Sequence, residues 1–224
     1  GYNERRIVER LMKITSRMLP PEVVQEVKDR VNAQIESDRK NLMLYKRSFH
    51  HLSLTERIIT ILKIGAADRE KIRHDVNSGT IVQGQCYRHC HHCCRMSLEY
   101  EVEAFDALLS CWLNRAMVSA AYLTGRFAGR NGWCGMLQNG LCAIHHYKPY
   151  VCLLTSPSPQ GAEKGGCYFS GERKAKTSVH MQTMVATRRM RLLFGKWLPE
   201  LPEVAGTNMN QAFIWALRKM KPPQ

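Results

Sequence analysis

A mainly α-helical fold, built from a helical N-terminal arm and a loop-rich, cysteine-rich core packed on helices, is what the sequence predicts. Three observations carry it. Apolar residues recur at helical spacing through the first 80 residues and again from about 178 onward. Glycine and proline crowd the stretch 125–177. Eight of the nine cysteines fall in three places: Cys86 to Cys94, Cys134 to Cys152, and Cys167. The expected organisation is therefore 1–80 as a helical region, 81–177 as the cysteine-cluster core, and 178–224 as C-terminal helices packing on that core.

In the arm, Ile7, Leu11, Ile14 and Met18 share a helical face, and Pro20-Pro21 ends that helix and opens the next. The second helix, about Glu22 to Tyr45, is highly charged. Its apolar positions Val23, Val24, Val27, Val31 and Ile35 make a narrow stripe suited to packing on one side only. Ser53-Leu54-Thr55-Glu56 is a capping-box sequence, followed by Ile58, Ile59, Ile61, Leu62 and Ile64 in a short core helix that Gly65 is expected to stop. Asp68 to Val76 reads as a polar helix ended by Asn77-Ser78-Gly79. Past the first cysteines, Ser97 is placed to cap a helix in which Val102, Phe105, Leu108, Leu109, Trp112, Leu113 and Met117 share a face. Helices return at about Ser178 to Trp197 and Asn210 to Met220, separated by Pro199 and Pro202.

At 224 residues and 25.7 kDa the chain can bury one good core, so neither metal nor disulfides are needed merely to fold. A hydrophobic share of 44% with 23% charged residues is that of an ordinary globular protein. No stretch approaches the roughly 18 apolar residues of a membrane-spanning helix. Dense thiols at ligand spacing, an odd cysteine total and a polar start with no apolar signal core point to a reducing compartment, so a cytoplasmic location is expected. The excess of 33 Lys+Arg over 19 Asp+Glu, a formal +14, favours an acidic protein or nucleic acid as partner of the basic helices. Metal-bound thiolates would offset part of that charge.

The cysteines carry the chemistry. Cys86-Tyr-Arg-His-Cys90-His-His-Cys93-Cys94 sets three and then two residues between its first three thiols, with Cys94 adjacent to the third, a spacing that lets one tight turn aim several sulfurs at a single point. Disulfides within so short a run would be strained, whereas zinc or an iron-sulfur cluster suits it. The core is thus expected to be a cysteine-ligated, metal-binding one. The second group is Cys134-Gly-Met-Leu-Gln-Asn-Gly-Leu-Cys142-Ala-Ile-His-His-Tyr-Lys-Pro149-Tyr-Val-Cys152.

Together these groups resemble the YkgJ-type cysteine-cluster family, described as zinc- or iron-chelating domains, with its CxxCxxCC, C-x-x-L, G-x-C-x-I-Y, R-P and C-R elements. The positions that match are Cys86, Cys90, Cys93, Cys94, Cys134, Leu137, Gly140, Cys142, Ile144, Pro149 and Cys152. The chain departs in its first gap of three residues, in His145 where the family has Tyr, and in Lys148 and Leu153 where it has Arg. The resemblance spans residues 86 to 152 and implies Cys86, Cys90, Cys93, Cys94, Cys134, Cys142 and Cys152 as metal ligands. It leaves zinc and iron open. The cysteine cluster of flagellin lysine N-methylases is distantly similar, and that similarity implies an iron-sulfur cluster, the group slightly preferred here.

Cys167, in the turn Gly165-Gly166-Cys167-Tyr168, is the eighth candidate ligand. Cys111, between Ser110 and Trp112, reads as a small core residue and is left out. His89, His91, His92, His145 and His146 interleave with the thiols; hydrogen bonding to sulfur or plain exposure is expected of them, and none is taken as a ligand. The Cys86-Cys90-Cys93 spacing also matches radical enzymes that use S-adenosylmethionine, but no alternating strand-helix series follows it. Phosphate loops, zinc-protease helices, serine elbows and dinucleotide glycine patterns are absent from the sequence. Three functions stay open: a metal or cluster binder for metal handling or electron transfer; a cluster-dependent methyl or group transferase; and a structural zinc module whose basic helices, with Arg188, Arg189 and Arg191, meet a partner.

Overall fold

The computed structural model describes residues 51–78, 101–128, 132–155 and 179–220, with Gln25, Asp29, Asn32, Ala33, Glu36, Ser37, Phe49 and Cys94. Within these residues 70% are helical, in six helices with little sheet, so the fold is mainly α. The helix expected over Ile7 to Met18, the apolar stripe of the second helix, and Ser97 lie outside the described residues. The described positions of the second helix are helical and exposed, and Gln25 donates to Asp29 one turn on.

Helix α1 (Leu54–Asn77) begins at the expected capping box. The Ser53 hydroxyl accepts from the Glu56 N–H at 3.3 Å and the Glu56 carboxylate accepts from the Ser53 N–H at 2.8 Å, satisfying two amides that a helix start leaves unpaired. Gly65 does not stop this helix. The apolar and polar stretches expected as separate helices are one helix of 24 residues, and Gly65 lies on its buried face. A Cβ there would sit 2.7 Å from Met190 Cε and 3.0 Å from Leu109 Cδ2, so the glycine is a point of close helix approach.

The single helix expected from Ser97 through Met117 is also divided. Val102–Glu103 forms a short strand, β1, and Ala104–Leu113 is helix α2; after Asn114 the chain turns into α3 (Arg115–Leu123), where Met117 is 40% exposed. Helix α2 is apolar nearly all round and buried from Ala104 to Cys111, which makes it the central helix. Helix α6 (Met209–Lys219) and α1 pack on it, and α5 (Val179–Trp197) packs on α1. Strand β4 (Val204–Gly206), in the segment between α5 and α6, pairs antiparallel with β1, Val102 facing Gly206 and Glu103 facing Val204. Proline in the flanks is no obstacle to so short an edge pair.

Residues from all three expected segments share one hydrophobic cluster, from Phe49, Ile61 and Leu62 through Leu108, Leu109, Met136 and Tyr150 to Met190, Phe213 and Ala216. Two ion pairs close its margins. Arg191 meets the Glu103 carboxylate through both Nε and Nη2, at 2.6 and 2.7 Å, and Arg57 reaches Glu200 at 2.6 Å and the Trp197 carbonyl at 2.6 Å. No described helix is long and apolar enough to cross a membrane.

Candidate metal centre

Of the eight candidate ligands, Cys94, Cys134, Cys142 and Cys152 are described; Cys86, Cys90, Cys93 and Cys167 lie outside the described residues, as do His89, His91 and His92. Cys94, Cys134 and Cys152 are buried within the hydrophobic cluster, and Cys142 is half-buried at its edge. Cys94 and Cys134, one from each sequence group, are joined through the backbone: the Cys134 N–H donates to the Cys94 carbonyl at 3.2 Å. Among the described residues no three His, Cys, Asp or Glu side chains converge on a point that could hold a metal ion.

The loop that carries Cys134 is fixed from several directions. The Cys134 carbonyl accepts from the Leu137 N–H at 3.0 Å. On either side of it, the buried Asn210 side chain of α6 accepts from the Gly135 N–H at 2.8 Å and donates to the Trp133 carbonyl at 3.2 Å. Gly135 itself lies against Phe127, whose Cδ1 would be 2.6 Å from an added Cβ. From this loop the chain enters a hairpin of β2 (Leu137–Gln138) and β3 (Leu141–Cys142), which sets Cys142 opposite Leu137. The connecting residues Asn139 and Gly140 have φ of 49° and 77°. Two left-handed residues are what a tight two-residue hairpin turn requires, and Asn-Gly is the pair that adopts them most readily.

Cys152 sits in the short helix α4 (Tyr150–Thr155). The first amides of that helix are capped from a distance by Asp106 of α2, whose carboxylate accepts from the Tyr150 N–H at 2.8 Å and the Val151 N–H at 3.0 Å. Pro149, just before, has no N–H to satisfy. Arg69 of α1, also buried, donates to the Lys148 carbonyl at 3.0 Å and lies over the Tyr150 ring. Burial pushes the Asp106 carboxyl up to about 6 in spite of the two amide donors, and burial pulls the Arg69 guanidinium down from its ordinary value. The negative forms of Tyr150, Asp106 and Cys152 pull Arg69 the other way.

Against family models, curated proteins and solved structures the chain finds no match.

The remaining candidates divide clearly. His145 is half-buried in the turn before Lys148; burial, with Lys148 and His146 nearby, pulls it down to about 4, so the ring is neutral at pH 7 and keeps a lone pair for a proton or a metal. His146 is exposed. Cys111 is fully buried on α2 and its thiol is pushed up to about 12 by burial, as suits a core residue with no ligand role. The basic run on α5 is drawn into the fold: Arg188 is buried, Arg189 meets Asp68 at 3.1 Å and Arg191 meets Glu103.

Sequence patterns passed over Asp106, Asn210, Gly135 and Arg69. A signal existed for two features. Asp106 is the one carboxylate in an apolar run from Ala104 to Leu113, where a buried charge needs partners, and Asn139-Gly140 is a strong hairpin dipeptide. Nothing in the sequence says that Asn210 reaches Trp133 and Gly135.

Proposed function

We propose that the chain is a metal-binding protein of the YkgJ type, holding an iron-sulfur cluster, or failing that zinc, through Cys86, Cys90, Cys93, Cys94, Cys134, Cys142, Cys152 and Cys167. The observation that supports this reading best is the backbone hydrogen bond from Cys134 to Cys94, which brings one cysteine from each sequence group together in the core. The donor set fits in kind: thiols carried on a loop, a hairpin and a helix start, each held by capping or backbone bonds. A set built on Cys94 and Cys134 draws its other ligands from the 86–93 run or from Cys167, since the described thiols do not complete one by themselves. An iron-sulfur cluster would supply one-electron chemistry there, and zinc a closed structural node.

The physiological task proposed is metal handling or electron transfer in the cytoplasm, where thiols stay reduced. The structural zinc module with basic helices draws little support from α5, because Arg188, Arg189 and Arg191 are engaged inside the fold. The test is anaerobic purification with metal analysis and a visible spectrum on the same sample. Iron with labile sulfide and absorption near about 400 nm is the expected result. Stoichiometric zinc without colour selects the second metal, and protein free of both overturns the proposal.

A further inference from the structure

Asn210 has a geometry that its place in α6 does not require. The N-cap of that helix is Asn208, whose side chain accepts from the Gln211 N–H at 3.0 Å, and Gln211 in turn accepts from the Thr207 hydroxyl at 2.7 Å. The helix start is therefore capped without Asn210. Asn210 is instead buried, 7% exposed, and spends both ends of its amide on another segment: Oδ1 on the Gly135 N–H and Nδ2 on the Trp133 carbonyl. These are the peptide groups flanking Cys134. The amide and carbonyl of Cys134 itself are taken by the Cys94 carbonyl and the Leu137 N–H. With both ends of the two peptide units that flank it bonded, the Cys134 backbone is held in place.

We infer that Asn210 is a positioning residue for Cys134: it presents this thiol as a preformed donor before any metal arrives. A floppy loop would lose conformational entropy on coordination; a clasped one has lost it already. The inference rests on the metal-binding reading above. It also makes a separate claim about the metal-free protein, that the Cys134 loop is held there too. Gly135 belongs to the same device, because a side chain at that position would push Phe127 and the Arg126 carbonyl, 3.0 Å away, and pull the N–H off Asn210.

The experiment compares full-length wild type with Asn210→Ala, Asn210→Asp and Asn208→Ala. Asn210→Asp keeps the acceptor for Gly135 and loses the donor to Trp133, so it keeps half the clasp should Asn210→Ala fail to fold. Asn208→Ala weakens the same helix through its cap and does not touch the Cys134 loop. Two quantities are read: the rate at which maleimide alkylates Cys134 in reduced, metal-free protein, mapped by peptide mass with Cys152 as internal reference, and the rate at which a chelator strips the loaded protein. Asn210→Ala is expected to raise metal loss by about 10- to 100-fold, the range for removing a partner that orients a ligand, with Asn210→Asp between it and wild type. Alkylation of Cys134 relative to Cys152 is expected to rise by about tenfold as the loop opens locally. Asn208→Ala, at equal or greater loss of melting temperature, is expected to leave both rates within about twofold of wild type. Rates that follow melting temperature across all variants overturn the inference and leave Asn210 a structural residue. A wild type that holds no metal overturns the metal-binding reading, and the alkylation series then decides the clasp by itself.

Discussion

Asp106 combines two opposed influences in one side chain: two amide donors that favour its charge, and complete burial that disfavours it. Burial prevails, and the carboxyl titrates at about 6 instead of its ordinary 3.8. The folded protein then takes up a proton between about pH 4 and 6 that the unfolded chain does not, so this group adds stability as the pH falls through that window. The gain is at most about 3 kcal/mol. His145 acts in the opposite sense, because its folded value of about 4 lies below its ordinary one and stability is lost on acidification from 6.5. The Asp106 contribution is therefore isolated by urea unfolding of wild type and Asp106→Asn at several pH values. Wild type is expected to gain on the variant from pH 7 to pH 4; a difference that does not vary with pH would refute the raised titration. At this scale the cysteines of the 86–94 run stand out in the sequence by their spacing, and Cys134 and Cys152 only through the family resemblance. The residues that bond the peptides near Cys134 and Cys152 do not stand out. Asp106 and Asn210 act on peptides distant in the sequence, and a lone polar residue in a helix carries no mark of which peptide it faces.

Elements were legible where their period is long and their punctuation local. The start of α1 followed from Ser53 and Glu56, and α5 and α6 from their apolar repeats. Gly65 misled because a glycine in sequence looks the same whether it ends a helix or lets another helix come near. Gly65→Ala tests this. Helix propensity favours alanine by about 1 kcal/mol, while overpacking costs about 1 to 3. The atoms met are ends of flexible side chains, Met190 Cε and Leu109 Cδ2, but both residues are buried, so a small net loss, under about 1 kcal/mol, is expected in chemical denaturation. In a Met190→Ala background the same substitution should become neutral or stabilising; an unchanged cost there would show that the contact is not the reason. Strand β1 was illegible for a different cause, two residues being too short for any alternation to register. The β2–β3 hairpin was within reach through Asn139-Gly140. Gly140→Ala, forced to φ near 77°, should cost about 1 kcal/mol and Gly140→Asn less, read from melting curves.

The described residues share one hydrophobic cluster, to which α1, α2, α5 and α6 contribute with α3, α4 and the loops between, and three of the candidate ligands lie within it without constituting it. The molecule's dependence on metal should accordingly be partial. Stripping the proposed centre with a chelator is expected to lower the melting temperature while most of the far-ultraviolet helical signal persists; complete loss of helix on chelation would mean that the metal, not the apolar core, organises the chain. What sequence left hidden at this scale is long-range pairing: β1 with β4, and α6 with the Cys134 loop, both of which join residues separated by most of a domain. That second pairing bears on how the protein is made. Translation delivers the Cys134 loop well before Asn210, so during synthesis that loop exists for a time without its fastener. The nascent chain cannot hold the Cys134 loop through this clasp until Asn210 has left the ribosome, so the loop is fastened late in folding and not as it emerges.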